Sequence, residues 1–301
     1  MVRMSVIASV LLCLALPSNA TSAPLVKEVD VNGVRLSYVD QGSGEPVVFV
    51  HGAVSDLRTW DMIRDGIASK YRFIAYTQRY CETRPWNDDG KLFSTATHAN
   101  DLAKFIESLN AGPVDVVGWS YGGAVAATAP VQNPSLFRSV ILWASLLTVL
   151  PADSPDGKAA REDRSRMYAP AAAAAKAGEP VKATRLLLEA VFQLPPGRSD
   201  REPQALQTMW DQNARTTPLF FTAPPPPVVT CDMLRTFAQP TLILEGEKTA
   251  AQFRLINDAI TSCVPKAQRV VLKSVTHDAP VHDPASFSSA ILDFLAKRPG
   301  L

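Results

Sequence analysis

The sequence predicts an α/β fold: a mostly parallel central sheet, helices on both of its faces, and a mainly helical cap insertion. Three observations carry this expectation. Short apolar runs recur along the chain, amphipathic helical patterns separate them, and the alternation breaks once, between about residues 151 and 237. Strands buried on both faces read as continuous apolar runs, and alternation with helices sets them side by side in parallel.

The first 23 residues stand apart as a signal peptide. Met1-Val2-Arg3 is short and positive, and Ser5 to Leu16 is almost unbroken apolar sequence. Ser18-Asn19-Ala20 and Thr21-Ser22-Ala23 then offer small-x-small cleavage sites before Pro24. The apolar stretch is too short to span a bilayer as a stable helix, although an N-terminal anchor is the rival reading. The expectation is export to the periplasm or the medium, with no membrane attachment after cleavage.

Val26 to Val31 and Val34 to Val39 alternate apolar and polar residues around Asn32-Gly33, a dipeptide that accepts the positive φ of a tight hairpin turn. Pro46 to Val50 is the first buried strand, and similar runs follow at Phe73–Tyr76, Val114–Val117, Val140–Trp143, Thr241–Leu244 and Val270–Leu272. Helical patterns occupy Thr59–Ser69, Ala99–Leu109, Gly123–Val131, Ala251–Ser262 and Ala285–Ala296. The break in this alternation carries Ala171 to Ala175, a helical pattern through Leu186 to Phe192, and Pro224-Pro225-Pro226-Pro227. Four consecutive prolines favour stiff polyproline II and exclude a helix interior. The core is therefore expected at 24–150 and 238–301, with 151–237 inserted over the carboxyl edge of the sheet, where open α/β folds bind ligands.

Composition excludes several classes of function. Of 301 residues, 47% are hydrophobic and 20% charged, which suits a folded core and not a disordered chain. Thirty basic against 29 acidic side chains give no field for nucleic acid or an anionic membrane. With export, Cys81, Cys231 and Cys263 remain in an oxidising compartment. Two arrangements stay open: Cys231 bonded to Cys263 across a strand-helix unit, or three buried free thiols. No C-x-x-C occurs, and the spacing of His277-Asp278 and His282-Asp283 fits no usual metal motif, so no metal is expected.

Val114-Asp115-Val116-Val117 leads into Gly118-Trp119-Ser120-Tyr121-Gly122, then into the small-residue run Gly123 to Ala127. This is G-x-S-x-G between a strand and a helix. A serine on such a sharp turn stands above the sheet at a helix N-terminus, where backbone N–H groups favour a developing negative charge.

Over about Val26 to Leu295 the sequence resembles the α/β-hydrolase superfamily. His51-Gly52-Ala53 stands where that family places its oxyanion loop, and Thr276-His277 follows the last strand, ahead of a final helix at Pro284. The resemblance implies Ser120 as nucleophile, His277 as its general base, and the backbone N–H groups of Ala53 and Tyr121 as oxyanion donors. It implies no cofactor. A serine at the elbow also argues against the relatives that open epoxides or remove halides with an aspartate. His51 is expected to shape its loop, and His98 to lie on the surface.

The chain departs from the family pattern at the triad acid. Where a G-x-x-D turn is usual, Gly246-Glu247-Lys248-Thr249 has threonine at the Asp position, and the alternative site after the sixth strand, Trp143-Ala144-Ser145, has no carboxylate. The first candidate is Glu247, with Glu245 and Asp258 behind it; the rival reading makes Glu247 a solvated loop charge and leaves no acid. The acid orients the imidazole and stabilises the imidazolium, so its loss lowers turnover by up to about 10⁴. The leading functional expectation is an exported serine hydrolase acting on a carboxylic ester of a small, fairly apolar molecule, the last point resting on Trp119, Trp143 and the Ala- and Pro-rich insertion. The alternative is a ligand-binding or pseudoenzyme member of the fold.

Overall fold

The structure, a computed structural model, describes residues 24–147, 154–224 and 229–298. The expected signal peptide and Pro225 to Pro227 lie outside the described residues. The chain opens with β1 (Val26–Val31) and β2 (Val34–Gln41), joined at Asn32-Gly33, where φ is 46° and 75°. Both values lie in the left-handed region that such a hairpin turn requires. Alternation follows through β3 (Pro46–Val50), α1 (Asp61–Ala68), β4 (Arg72–Tyr76), α2 (Thr95–Ser108), β5 (Val114–Trp119), α3 (Tyr121–Gln132) and β6 (Phe137–Trp143).

Among the described residues, five α-helices then run without an intervening strand: α4 (Pro155–Lys176), α5 (Pro180–Phe192), α6 (Gln204–Asn213), α7 (Thr217–Thr222) and α8 (Cys231–Arg235). Ser154 caps α4 by accepting from Gly157 N, and Pro155 occupies the first turn, where its missing N–H is not needed. The fold closes with β7 (Thr241–Gly246), α9 (Ala251–Cys263), β8 (Ala267–Leu272), α10 (Ala279–His282) and α11 (Pro284–Lys297).

The eight strands form one sheet in the order β1-β2-β4-β3-β5-β6-β7-β8. β1 and β2 pair antiparallel, as do β2 and β4, and every other neighbouring pair is parallel. Side chains alternate across this sheet. Val48 and Val50 of β3 face a core shared with Phe105 of α2 and Val125 of α3, whereas Val47 and Phe49 face Ile63 and Ile67 of α1 and Phe287 and Ile291 of α11. On α11 the buried residues are Phe287, Ile291, Phe294 and Leu295, an i, i+4, i+7, i+8 stripe. Burying each such side chain contributes about 1.5–3 kcal/mol, which fixes the last helix against the sheet just after the segment that carries His277. Cys231, at the start of α8, is disulfide-bonded to Cys263, at the end of α9, and Cys81 is a free thiol.

Candidate active site

Ser120 follows the last residue of β5 and precedes the first of α3, so strand and helix meet at a single residue. Its backbone has φ 56° and ψ −115°, a conformation that L-residues rarely adopt. The turn is held from several sides. Ser120 N donates to Trp143 O at 2.9 Å, and Ser120 O accepts from Gly123, Ala124 and Leu146 N at 3.0–3.2 Å. The two flanking glycines are required by close approach. A Cβ at Gly118 would lie 2.5 Å from Gly122 O, and one at Gly122 would lie 2.3 Å from both Val50 O and His51 O.

His277 lies between β8 and α10. Its backbone carbonyl accepts two indole N–H groups, from Trp143 at 2.8 Å and from Trp119 at 3.0 Å. The imidazole is buried among aromatic rings, with Phe253 at 4.5 Å, Trp119 at 5.8 Å and Phe192 at 6.1 Å between centroids. Burial pushes its pKa down to about 3, so the ring is neutral at pH 7. Nδ1 is buried with no hydrogen-bond partner. No hydrogen bond joins His277 to Ser120 among the described residues, and both line one cavity of about 750 Å³.

Ala53 and Tyr121 line the same cavity. Tyr121 is the first residue of α3, and the leading N–H groups of a helix have no carbonyl of their own helix to bond. The Ala53 loop is braced by His51, whose Nε2 accepts from Gln78 N at 3.0 Å. Its proton therefore sits on Nδ1 and is donated to Gly52 O at 2.8 Å. Burial lowers its pKa to about 4, and the ring is a neutral strut. The remaining cavity wall is mostly apolar and comes largely from α4, α5, α6 and α7, including Leu187, Leu188, Val191, Trp210 and Phe220.

Residues 47–290 match the sequence profile of the Alpha/beta hydrolase family. The chain belongs to that family. An epoxide hydrolase of Caballeronia sordidicola is 31% identical over 118 residues, 38% of this chain and 36% of that protein. This chain's matches to its curated relatives span less than half of their length. Among solved structures, a bromoperoxidase from Bacillus anthracis has a TM-score of 0.72 at 21% identity, covering 91% of this chain and 100% of that one. The esterase RhEst1 from Rhodococcus sp. ECU1013 has a TM-score of 0.70 at 22% identity, covering 90% and 98%. At such identities the likeness is one of fold.

Within this α/β-hydrolase, Glu247 does not orient His277. Its half-exposed carboxylate accepts from Ser274 N at 2.9 Å and Lys273 Nζ at 3.3 Å, and these bonds hold its pKa below the usual carboxylate range. Glu245 is buried but bonded to Arg269 and Asn257, and Asp258 pairs with Arg269. The site after β6 contributes Trp143 instead of an acid. Trp143 is fully buried and does not line the cavity, in contrast to Trp119. His98 is also not on the surface: it is buried, accepts or donates at Nδ1 with Tyr121 Oη at 2.8 Å, and packs against Phe93. Its helix starts at Thr95, earlier than the apolar pattern suggested, because Ser94 supplies the cap.

Two features were not read from the sequence. Thr249 Oγ1 is buried without a partner, as is His277 Nδ1. Beyond His277, His282 bridges Asp278, 2.6 Å from Nδ1, and Glu202 of the helical segment, 2.8 Å from Nε2. The hydrogen bond to Asp278, reinforced by Glu202, pushes the His282 pKa up to about 9 despite burial. Burial would raise Asp278, but its bonds to His282 and Thr276 outweigh this and hold it low. The i, i+4 spacing of Asp278 and His282 was visible; Glu202, 80 residues away, carried no local signal.

Proposed function

We propose that this chain is an exported serine hydrolase that cleaves a carboxylic ester of a small molecule through an acyl-enzyme on Ser120. The observation that carries this reading is a serine on a strained strand-helix elbow, at the wall of an apolar cavity that a buried neutral histidine also lines. His277 takes the hydroxyl proton as Ser120 Oγ attacks the ester carbonyl, and the Ala53 and Tyr121 N–H groups hold the oxyanion. The proton passes to the departing alcohol. Water then attacks the acyl-enzyme with His277 as base, freeing the acid and Ser120. An imidazole with so low a pKa is a weak base, and with Nδ1 unpaired nothing stabilises its charged form, so turnover is expected to be modest.

Labelling of the mature protein with a fluorophosphonate tests this. Modification of the Ser120 peptide that falls away in S120A and H277A is the expected result. An esterase rate unchanged in S120A would overturn the serine mechanism. The second reading, a binding protein of this fold, is favoured by the orphaned Nδ1 of His277. Absence of labelling in a folded sample, with saturable ligand binding, would establish that reading instead.

A further inference from the structure

One wall of the cavity differs in character from the rest. Helix α4 presents Arg161, Arg164, Ser165 and Tyr168 to it, at i, i+3, i+4 and i+7, so they share one helix face. The rest of the lining contains no carboxylate among the described residues and is dominated by leucine, phenylalanine and tryptophan. Arg164 stands out further. Among the described residues, half-buried or buried arginines meet carboxylates, carbonyls or aromatic rings: Arg72 with Asp40, Arg79 with Asp101, Arg185 with Asp211 and Trp210, Arg215 with two carbonyls and Trp86. Arg166, two residues on, pairs with Asp163. Arg164 is half-buried and has no such partner among the described residues.

A guanidinium held at an apolar cavity without a carboxylate is an incomplete site. Its planar fork matches a carboxylate with two parallel hydrogen bonds, and exclusion of water by the apolar walls strengthens that pairing. An anion entering among the apolar walls, away from this face of α4, would lose hydration with little to replace it. We propose that Arg164 recognises a carboxylate remote from the scissile bond, so that the substrates are esters with an apolar chain and an acidic end. This inference rests on the ester-hydrolase reading of Ser120 for its chemistry, but not for the anion site itself.

The test compares p-nitrophenyl monoesters of adipic, suberic and sebacic acid with the same compounds capped as methyl esters. The wild-type enzyme is expected to favour the acid-ended member of at least one pair by about 10- to 100-fold in kcat/KM, the range of one charge-assisted pairing. R164Q is expected to abolish that preference and R164K to keep part of it. R166Q removes the same charge from the same helix outside the cavity and is expected to retain the preference. Equal rates on capped and acid-ended esters in the wild type, or a preference that survives R164Q, would overturn the proposal. If the wild type cleaves none of them and fluorophosphonate leaves Ser120 unmodified, the hydrolase reading is what fails. The anion site is then judged by titrating monomethyl suberate against the fluorescence of Trp119 and Trp210, which line the cavity. Quenching in the wild type and R166Q that is at least tenfold weaker in R164Q supports the site, and identical curves reject it.

Discussion

Trp143, the last residue of β6, donates its indole N–H to the backbone carbonyl of His277 at 2.8 Å. Trp119, the last residue of β5, donates to the same oxygen from the neighbouring strand. Two central strand ends thus hold the histidine by its backbone, while Phe253, Trp119 and Phe192 hold its ring. Trp143 ends β6, next to one of the two sequence positions where the family resemblance allows a carboxylate. This arrangement positions the imidazole without stabilising its charge.

Replacing Trp143 by phenylalanine keeps most of the buried volume and removes one of the two donors. The carbonyl keeps Trp119, so no acceptor is left orphaned, and the expected loss of stability is about 1 kcal/mol. Steady-state kinetics of W143F should show kcat lowered roughly 3- to 10-fold with KM little changed, since the change loosens the base and not the cavity. An unaltered kcat would mean that Trp119 and the aromatic packing suffice.

Thr249 stands at the position where the family's turn carries aspartate, and both its Oγ1 and His277 Nδ1 are buried without partners. The turn also runs beside the histidine loop: Lys248 N donates to Val275 O at 3.0 Å, and a Cβ at Gly246 would lie 2.5 Å from Thr276 O. T249D is expected to raise kcat/KM by about 10- to 1,000-fold, because a carboxylate would stabilise the imidazolium. The acid limb of the pH profile should move upward with it. In the wild type, a His277 pKa of about 3 leaves the base neutral down to roughly pH 4, whereas pairing with a carboxylate raises that value. A folded T249D with an unmoved profile would show that this position does not reach the ring.

The His282 bridge predicts how stability varies with pH. Its pKa is raised from 6.5 to about 9 in the folded state, so the stability it contributes is fully present below about pH 6.5 and is lost as pH rises through 9. Asp278 has the opposite sign: its lowered pKa contributes stability at neutral pH that is lost as pH falls below its ordinary value of 3.8. Tm should therefore be highest between about pH 5 and 6.5, and should fall as pH rises from there toward 9. H282Q removes the cation that bridges Asp278 and Glu202, leaving Glu202 paired only with Arg198 among the described residues, and should cost about 2 kcal/mol at pH 7, roughly 4–8 °C in Tm. Above pH 9 the two proteins should converge, which differential scanning calorimetry across that range would measure.

The Cys231–Cys263 disulfide closes a loop spanning 32 residues of sequence separation that contains β7 and most of α9. Loop-closure entropy assigns it about 3–4 kcal/mol. Reduction, or the C231S/C263S double variant, should lower Tm by roughly 10 °C, with Cys81 remaining the single titratable thiol of the described residues under non-reducing conditions. Labelling of Cys231 or Cys263 by a thiol reagent in the native protein would show the bond to be unformed.

Legibility in the sequence followed the range of the interactions involved. β3 begins and ends at the predicted residues, Pro46 and Val50, because a strand buried on both faces is apolar at every position. The Asn32-Gly33 hairpin was legible because its backbone requirement is met by those two residues alone. The serine elbow was visible for a similar reason: glycines at 118 and 122 are demanded by contacts within one strand-turn-helix unit and its neighbouring strand. Helix boundaries moved by a few residues where a cap, such as Ser94, lay outside the apolar pattern.

What tertiary structure alone decided is which groups meet. Nothing near Glu247 in the sequence reveals that its carboxylate would satisfy Ser274 N and Lys273, and nothing near Trp143 reveals a hydrogen bond to a residue 134 positions later. The partners of His98 and His282, and the cavity face of Arg164, depend likewise on how separate elements pack. Periodicity and turn chemistry are local and are written into consecutive residues, so the sequence determined the α/β architecture and located the serine and the histidine. Orientation, burial and pairing arise from contacts between distant segments, and only the folded chain determines those.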